Sequence, residues 1–247
     1  MTPNALTVAL KQLTRRAGFD VVKYPERERV PLADFLQRFH IDTVLDVGAN
    51  CGQYGSWLRS LAFRGKIISF EPNPVPFAEL QRVAKADGNW SCQNIGLGAT
   101  NTSLPINISE LDVFSSMLPV GERLRTLDPR ANVEKVAMVP VKRLDDLTDV
   151  ASLSPNTLLK IDTQGFEGPV LEGASGVLQR LRGVQLELSL TPLYEGQARF
   201  ETIVAWLVAA GFVPFAFWDG FVDAKTGAVL EMDGLFFRPD AAIRSDS

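Results

Sequence analysis

The sequence predicts an α/β protein with a mostly parallel β-sheet that helices cover on both faces. From residue 43 onward, short apolar runs alternate with segments whose apolar residues recur at helical spacing. The first run, TVLDV (43–47), ends in a glycine-rich turn. The last two runs, at 212–218 and 229–237, have only a loop between them, so we expect them to form an antiparallel pair.

The first half of the pattern contains three strands and two helices. The helix over 74–86 is the clearest, because Phe77, Leu80 and Val83 share a face and Pro74 stands in its first turn. The predicted order is strand 43–47, helix 53–63, strand 66–71, helix 74–86 and strand 90–95.

The pattern changes over residues 99–142, which we interpret as an insertion over the sheet edge or the site. It contains polar turns and two strand-like pieces, around 102–108 and 136–142. Alternation then resumes with helix 144–147, strand 157–162, helix 168–181, strand 184–190 and helix 199–210. These segments predict a helical N-terminal extension (1–40), a single α/β domain (41–240) and a short tail (241–247).

The composition is that of a soluble globular protein. The chain has 247 residues, of which 46% are hydrophobic and 22% are charged. Its net charge of −4 provides no basic field that would attract nucleic acid. The two cysteines, Cys51 and Cys92, are too few for a disulfide framework and form no metal pattern. We therefore expect reduced thiols and a cytoplasmic location, and the sequence leaves the oligomeric state open.

The N-terminal segment predicts a short amphipathic helix. No apolar run approaches the ~18 residues of a transmembrane segment, and the order of charges is not that of a signal peptide. A helix packed on the domain is the simpler interpretation, and docking on an anionic membrane surface is the alternative. Its apolar face comprises Leu6, Leu10, Leu13 and Ala17, and its positive charges are Lys11, Arg15 and Arg16.

The glycine turn after the first strand predicts a ligand site. In open α/β sheets, ligands bind beyond the carboxyl ends of the strands, where the strand order reverses. The order Gly48-Ala49-Asn50-Cys51-Gly52 lacks the middle glycine of the nicotinamide fingerprint, and no Lys-Ser/Thr pair follows as in a Walker motif. Glu71 ends the second strand, where a carboxylate can accept hydrogen bonds from both hydroxyls of a ribose.

Four segments together resemble the FkbM-type methyltransferases over roughly residues 40–240. They are VLDVGANCGQY, FEPNP, VPVKRLDDL and LLKIDTQGFEGPVLEGA. The resemblance implies a Rossmann-like class I methyltransferase fold with strand order 3-2-1-4-5-7-6 and an antiparallel seventh strand. It also implies S-adenosyl-L-methionine (SAM) as cofactor and a hydroxyl group of a sugar, glycolipid, polysaccharide or secondary metabolite as acceptor.

The resemblance also completes the predicted cofactor site. It places Asn94 and Ile95, at the end of the third strand, where the adenine ring would lie. One departure from the family form is Gln164, which replaces the acid of KIDVEG. The predicted cofactor-binding residues are Asp46, Gly48, Asn50, Gly52, Glu71, Asn94, Ile95 and Asp162.

Transfer of a methyl group to a hydroxyl requires a base for the proton, and two polar stripes suggest candidates. Lys160 and Asp162 share one face of strand 157–162, and Glu187 lies on a polar face of strand 184–190. Central parallel strands are usually apolar on both faces, so polar side chains at these positions indicate a structural or functional role. We predict Asp162 as the first candidate, Glu187 as the second and Glu167 as the third. The alternatives are a turn cap at Asp162 and a buried Lys160–Glu187 ion pair.

A metal site is the less favoured interpretation of the same carboxylates. Asp162 and Glu187 could hold a divalent cation, but hard cations require more oxygen ligands than these two residues supply. The predicted site therefore contains no metal.

Three functions are compatible with these observations. The first is a SAM-dependent O-methyltransferase that acts on a sugar hydroxyl. The second is a nicotinamide-dependent oxidoreductase or epimerase, which the missing glycine and the absence of a Tyr-x-x-x-Lys pair disfavour. The third is a catalytically inactive SAM-binding protein that acts as a partner in an assembly.

Overall fold

The computed structural model describes residues 32–147 and 152–239. The chain forms two compact units, Met1–Phe39 and His40–Ser247. In the first unit the structure describes helix α1 (Leu32–Arg38). The predicted amphipathic helix near residues 6–17 and the tail at 241–247 lie outside the described residues. No helix within the described ranges is long and apolar enough to cross a bilayer.

The first half of the main sheet follows the predicted alternation. The parallel pairs β1–β2 and β2–β3 place these strands side by side. The helix between the second and third strands has a standard start and end: the Asn73 side chain accepts from the Val75 N–H, and Gly88 ends the helix with φ 80°. The elements are β1 (Thr43–Val47), α2 (Gln53–Ser60), β2 (Lys66–Phe70), α3 (Pro74–Asp87) and β3 (Trp90–Gln93).

The insertion forms a separate three-stranded sheet. Both predicted strand-like pieces are present, as β5 and β6, and they pair antiparallel. The third strand, β4, pairs parallel with β6 and has only two residues, too few to give a pattern in the sequence. The elements are β4 (Gly96–Leu97), β5 (Thr102–Ser109), α4 (Glu122–Leu127) and β6 (Val133–Lys142).

The second half of the main sheet follows, with bounds within a few residues of those predicted. The elements are α5 (Leu144–Leu147), β7 (Thr157–Ile161), α6 (Glu167–Gly173), α7 (Ser175–Leu178), β8 (Gly183–Ser189), α8 (Phe200–Ala209), β9 (Val213–Asp219) and β10 (Glu231–Phe237).

The prediction of a single helix over 168–181 is wrong, because the structure has two short helices, α6 and α7. The chain leaves helical geometry at Ala174, where φ is −109°. The carboxylate of Asp145 accepts from the N–H groups of Gly176 and Val177 at 2.9–3.1 Å, and so caps a new helix. The break therefore comes from a long-range cap that the local pattern does not contain.

The main sheet has the order β3-β2-β1-β7-β8-β10-β9. In terms of the main-sheet strands this is 3-2-1-4-5-7-6, and β10 is antiparallel to both of its neighbours. The predicted Rossmann-like class I methyltransferase fold is therefore confirmed. The order reverses between β1 and β7, so a crevice for a ligand lies beyond the carboxyl ends of these two strands.

The core lies on both faces of the central strands. Every residue of β1 and β7 is buried, as expected for parallel strands between two helical layers. Leu45, Leu159 and Leu186 are completely buried. Asp46 and Lys160 are buried among these apolar residues, and their contacts connect the core to the crevice.

Candidate active site

The turn after β1 meets the turn after β7. Gly48 has φ +74°, and a Cβ added there would lie 1.8 Å from the carbonyl oxygen of Asp162. Any side chain at this position would push the two turns apart, and glycine also avoids the strain of a positive φ. The N–H groups of Gly48 and Ala49 both donate to the carbonyl oxygen of Phe70, at 2.9 and 3.1 Å. The ends of β1, β2 and β7 are thereby held together.

Asn50 and Gly52 shape the rest of this turn. The Asn50 side chain accepts from the Cys51 N–H at 2.7 Å and from Gln53 Nε2 at 3.1 Å, so it braces the start of α2. Gly52 has φ +86°, and a Cβ there would lie 3.1 Å from atoms of Leu80 and Trp90. Both predicted residues therefore maintain the backbone that lines the crevice.

Glu71 is buried at the carboxyl end of β2. Its Oε2 accepts from the Asn50 N–H at 2.8 Å, and its Oε1 accepts from the Asn73 N–H at 2.7 Å. Burial raises the pKa of Glu71 to about 7, although these two backbone hydrogen bonds lower it in part. Its contact with Asn50 fixes this carboxylate beside the glycine turn.

Asn94 and Ile95 lie on the other side of Glu71. The Asn94 side chain donates to the carbonyl oxygens of Glu71 and Pro72, at 2.8 and 3.1 Å. Ile95 is half-buried against the main core. The structure therefore brings Asn50, Glu71 and Asn94 together at one corner of the crevice.

Asp46 lies below the crevice and is completely buried. Its Oδ2 accepts from Ser69 Oγ at 3.0 Å, and Ser69 Oγ in turn accepts from Trp90 Nε1 at 2.9 Å. Its Oδ1 is 3.3 Å from Lys160 Nζ. Asp46 thus joins β1 to both neighbouring strands under the glycine turn.

Lys160 connects two carboxylates. Its Nζ lies 3.3 Å from Asp46 Oδ1 and 3.4 Å from Asp162 Oδ2, and 5.1 Å from the centre of the Tyr54 ring. Burial alone would lower the pKa of Lys160, but the negative charges of Asp162 and Asp46 outweigh it and raise that pKa. The ion pair considered from the sequence, Lys160 with Glu187, is replaced by these two pairs.

Asp162 is the most accessible of the three catalytic candidates. Its side chain is 43% exposed, and its Oδ1 accepts from Gln164 Nε2 at 2.9 Å. Its backbone N–H donates to the Val47 carbonyl oxygen at 3.0 Å. Asp162 therefore stands at the carboxyl end of β7 with one oxygen toward Lys160 and the other toward Gln164.

Glu187 and Glu167 lie on opposite sides of the turn after β7. Glu187 Oε2 accepts from Gln164 Nε2 at 3.2 Å. Burial raises the pKa of Glu187 well above its ordinary value, and the charges of neighbouring carboxylates raise it further. Glu167 Oε1 accepts from the N–H groups of Thr163 and Gly165, at 3.0 and 3.2 Å, so it binds the turn itself.

Sequence reasoning missed two further acids at this edge of the sheet. Glu231 and Asp233 lie on β10, directly opposite Ser189 and Glu187. Burial raises the pKa of Glu231 to about 7, although a hydrogen bond from Gln197 lowers it in part. Alternation in EMDGLFF could have placed both acids on one face, but only the antiparallel register puts them beside Glu187.

Tyr194 is the other residue that the sequence did not single out. It is 2% exposed, and its hydroxyl donates to Gln164 Oε1 at 2.9 Å. It belongs to a small buried cluster that includes Val120 and Leu124 of the insertion. Within residues 32–147 and 152–239, no group of three acidic, histidine or cysteine side chains is arranged to hold a metal ion.

Comparisons with known proteins point to one family. A sequence model described as the methyltransferase FkbM domain matches residues 46–214. Methyltransferase 1 of Beauveria bassiana is 28% identical over 142 residues, which make up 53% of this chain and 57% of that protein. The 2-O-methyltransferase NoeI of Sinorhizobium fredii is 24% identical over 169 residues, or 65% of this chain and 69% of NoeI.

One solved structure can be aligned with part of this chain. The crystal structure of a methyltransferase FkbM from Methylobacillus flagellatus KT aligns with 80% of this chain and 43% of that chain. The TM-score is 0.49, and the aligned residues are 14% identical.

Proposed function

This chain belongs to the FkbM methyltransferase family, and we propose that it transfers the methyl group of SAM to a hydroxyl group of a sugar. One observation carries the proposal. The glycine turn predicted to hold the cofactor and the turn that presents Asp162 are in direct contact, because Gly48 packs against the Asp162 carbonyl oxygen. A cofactor in the crevice and a base for the acceptor would then be neighbours, as proximity catalysis requires.

The donor set at the end of β2 fits SAM. Glu71 presents a carboxylate that can accept from two ribose hydroxyls while its backbone contacts hold it still. Asn94 and Ile95 flank it on the side where an adenine ring would lie. Gly48 leaves room because it has no Cβ. When bound, SAM supplies an electrophilic methyl group on a positively charged sulfur.

Asp162 is the residue that we propose as the base. It is the partly exposed carboxylate at the switch point, and its Oδ2 lies 3.4 Å from Lys160 Nζ. It would take the proton of the acceptor hydroxyl as the oxygen becomes methylated. Glu187, bound to the same amide as Asp162, would contact the acceptor, and Glu167 would hold the turn in place.

The acceptor side of the crevice favours a neutral, hydroxyl-rich molecule. Glu187, Glu231 and Asp233 line this edge, while Lys160 is already paired with Asp46 and Asp162. These acids offer an anionic acceptor no compensating positive charge, whereas sugar hydroxyls can form hydrogen bonds with carboxyl groups in either protonation state. A sugar is also supported by NoeI, a relative whose name describes methyl transfer to an oxygen at position 2. A glycolipid acceptor and a cytoplasmic location stay predictions.

Calorimetric titration tests the cofactor assignment. We expect S-adenosylhomocysteine to bind the wild-type protein and NADH not to bind. Glu71→Ala should weaken S-adenosylhomocysteine binding by about tenfold or more, because hydrogen bonds to a charged group are lost. Glu172→Ala removes an exposed helical glutamate and serves as the matched control. Binding of NADH alone would support the oxidoreductase or epimerase alternative and overturn this proposal.

A further inference from the structure

Gln164 occupies an unusual position at the tip of the turn after β7. It has φ +53°, in the left-handed region that non-glycine residues rarely adopt. Its Nε2 lies 2.9 Å from Asp162 Oδ1 and 3.2 Å from Glu187 Oε2. One amide therefore bridges two carboxyl groups that would otherwise face each other. A strained residue with such contacts is typical of a functional turn.

The orientation of this amide is fixed from its other side. Tyr194 donates its hydroxyl proton to Gln164 Oε1 at 2.9 Å, and Ser116 Oγ donates to the Gln164 carbonyl oxygen at 2.6 Å. Because the phenol donates to Oε1, the NH2 group of the amide faces the two acids. The phenol and the serine hydroxyl thus keep the two N–H donors aimed at Asp162 and Glu187.

The two bridged acids differ in their surroundings. Asp162 has Lys160 Nζ at 3.4 Å and is partly exposed. Glu187 faces other acids, and burial raises its pKa well above the ordinary value. The charged and titratable groups that face the pair are Lys160 on β7, Glu167 on α6, Glu231 and Asp233 on β10, and Tyr194 after β8. Asp46 on β1 contacts Lys160 from the other side.

We propose that Gln164 is a positioning residue for the proposed methyl transfer, whose amide aims Asp162 at the acceptor and separates it from Glu187. The inference rests on the proposed function. The acceptor's proton moves from its hydroxyl oxygen to Asp162, and Gln164 neither gains nor loses a proton. A neutral amide can donate to both acids at once, which a carboxylate at position 164 could not do.

The first test needs no acceptor. Gln164→Glu would put a third carboxyl group between the two acids, so its pKa in the folded protein would lie above its unfolded value. Such a group destabilises the fold increasingly as pH rises. In urea titrations, the folding equilibrium constant of Gln164→Glu relative to wild type should fall at least about tenfold between pH 5.5 and pH 8.

Two control variants accompany this measurement. Gln164→Met keeps the length of the side chain but has no hydrogen-bond donors and no charge. The ratio of its folding equilibrium constant to that of wild type should vary little with pH. Gln81→Glu makes the same change at an exposed position of α3 and should show little effect. If the ratio of folding equilibrium constants for Gln164→Glu and wild type does not depend on pH, the proposal that the Gln164 amide separates the two acids is overturned.

The second test is the pH profile of methyl transfer. The acid limb should move upward by about one pH unit in Gln164→Glu, because added negative charge favours protonation of the base. In Gln164→Met, kcat should fall about tenfold with an unchanged affinity for S-adenosylhomocysteine, as expected from a lost orienting contact. If the acid limb of the Gln164→Glu activity profile does not move, Gln164 has only a structural role.

The failure of the proposed function is distinguishable from the failure of this inference. If the wild-type protein methylates no acceptor, the proposed function and the catalytic role of Gln164 fail together. The pH dependence of unfolding still shows whether the amide separates the two acids. If methyl transfer occurs and neither the acid limb nor the unfolding ratio changes, only the inference is overturned.

Discussion

At the scale of single residues, buried polar side chains determine what the crevice can bind. Asp46 and Lys160 lie on neighbouring, completely buried strands, and Lys160 Nζ is 3.3 Å from Asp46 Oδ1. A charge buried without a partner would cost several kcal/mol, so the pair makes it possible to keep charges beneath the site. The sequence predicted Asp46 as part of the cofactor site and identified Lys160 as an unexpected polar residue on a central strand, but their pairing depends on the register of β1 with β7.

The contact of Gly48 with Asp162 gives the first residue-scale prediction. Gly48→Ala should lower the free energy of unfolding by more than about 3 kcal/mol, because both the clash and the positive φ oppose a Cβ. Gly227→Ala is a matched control: Gly227 also has φ +74°, and a Cβ there meets nothing within 4 Å. That variant should lose only about 1–2 kcal/mol in urea denaturation. Equal losses would contradict the close approach of the two turns.

The raised pKa of Glu71 gives a second prediction at the residue scale. Burial raises this pKa to about 7, and ribose hydroxyls donate best to the ionised carboxylate. The affinity for S-adenosylhomocysteine should therefore increase as pH rises from about 6 to 8, by up to about tenfold for each unit below the pKa. Calorimetry at several pH values measures this. A flat profile for wild type, or a profile unchanged in Glu71→Gln, would remove Glu71 from the cofactor site.

At the scale of elements, the inserted sheet is fastened to the turn after β7. Ser116 lies beyond β5, is 1% exposed, and accepts from the Leu118 N–H as well as donating to Gln164. Tyr194 binds the same turn, and its hydroxyl oxygen also lies 3.2 Å from the Phe114 carbonyl oxygen. The insertion thereby buttresses the turn that presents Asp162. From the sequence it was predicted only as a cover for the sheet edge or the site.

Adjacent serines make this attachment testable. Ser116→Ala leaves the Gln164 carbonyl oxygen without its donor, which should cost about 1–3 kcal/mol of stability. It should also lower kcat for methyl transfer, because the turn is less constrained. Ser115→Ala is the matched control, since Ser115 Oγ accepts only from the Ser109 N–H within the insertion. Full activity of Ser116→Ala would show that the insertion does not support the turn.

The elements also show which features a sequence can predict. Strands β1, β2, β7 and β8 and helix α3 were predicted because their apolar patterns are local. Strand β4 and the break between α6 and α7 were not, because each depends on a distant partner: β6 for the strand and Asp145 for the helix cap. The position of Glu71 at the end of β2, beside the glycine turn, followed from a local motif. The bridge through Gln164 required the tertiary structure.

At the scale of the whole molecule, the acids converge on one edge of the sheet. The strand order brings the carboxyl ends of β7 and β8 beside the amino end of the antiparallel β10. Asp162, Glu187, Glu231 and Asp233 thereby lie together at one edge of the sheet, on or directly after three strands. No sequence pattern within one segment could have indicated that these acids lie together.

This concentration of charge predicts acceptor selectivity. A neutral oligosaccharide should have a kcat/KM at least about tenfold higher than its uronic acid counterpart, because an acceptor carboxylate would be desolvated beside carboxyl groups that give it no positive partner. Added salt should narrow the difference. Steady-state methyl transfer with matched acceptors measures it. Equal or inverted selectivity would contradict the assignment of these acids to the acceptor side.

The most direct test of the account is transfer of a tritium-labelled methyl group from SAM to neutral saccharides. We expect the wild-type protein to place the label in a base-stable ether. Asp162→Asn should slow transfer by about 10²- to 10⁴-fold while it still binds S-adenosylhomocysteine. Glu134→Gln, at an exposed position of β6, should behave as wild type. Label in a base-labile ester, or a wild-type rate in Asp162→Asn, would contradict a hydroxyl acceptor activated by Asp162.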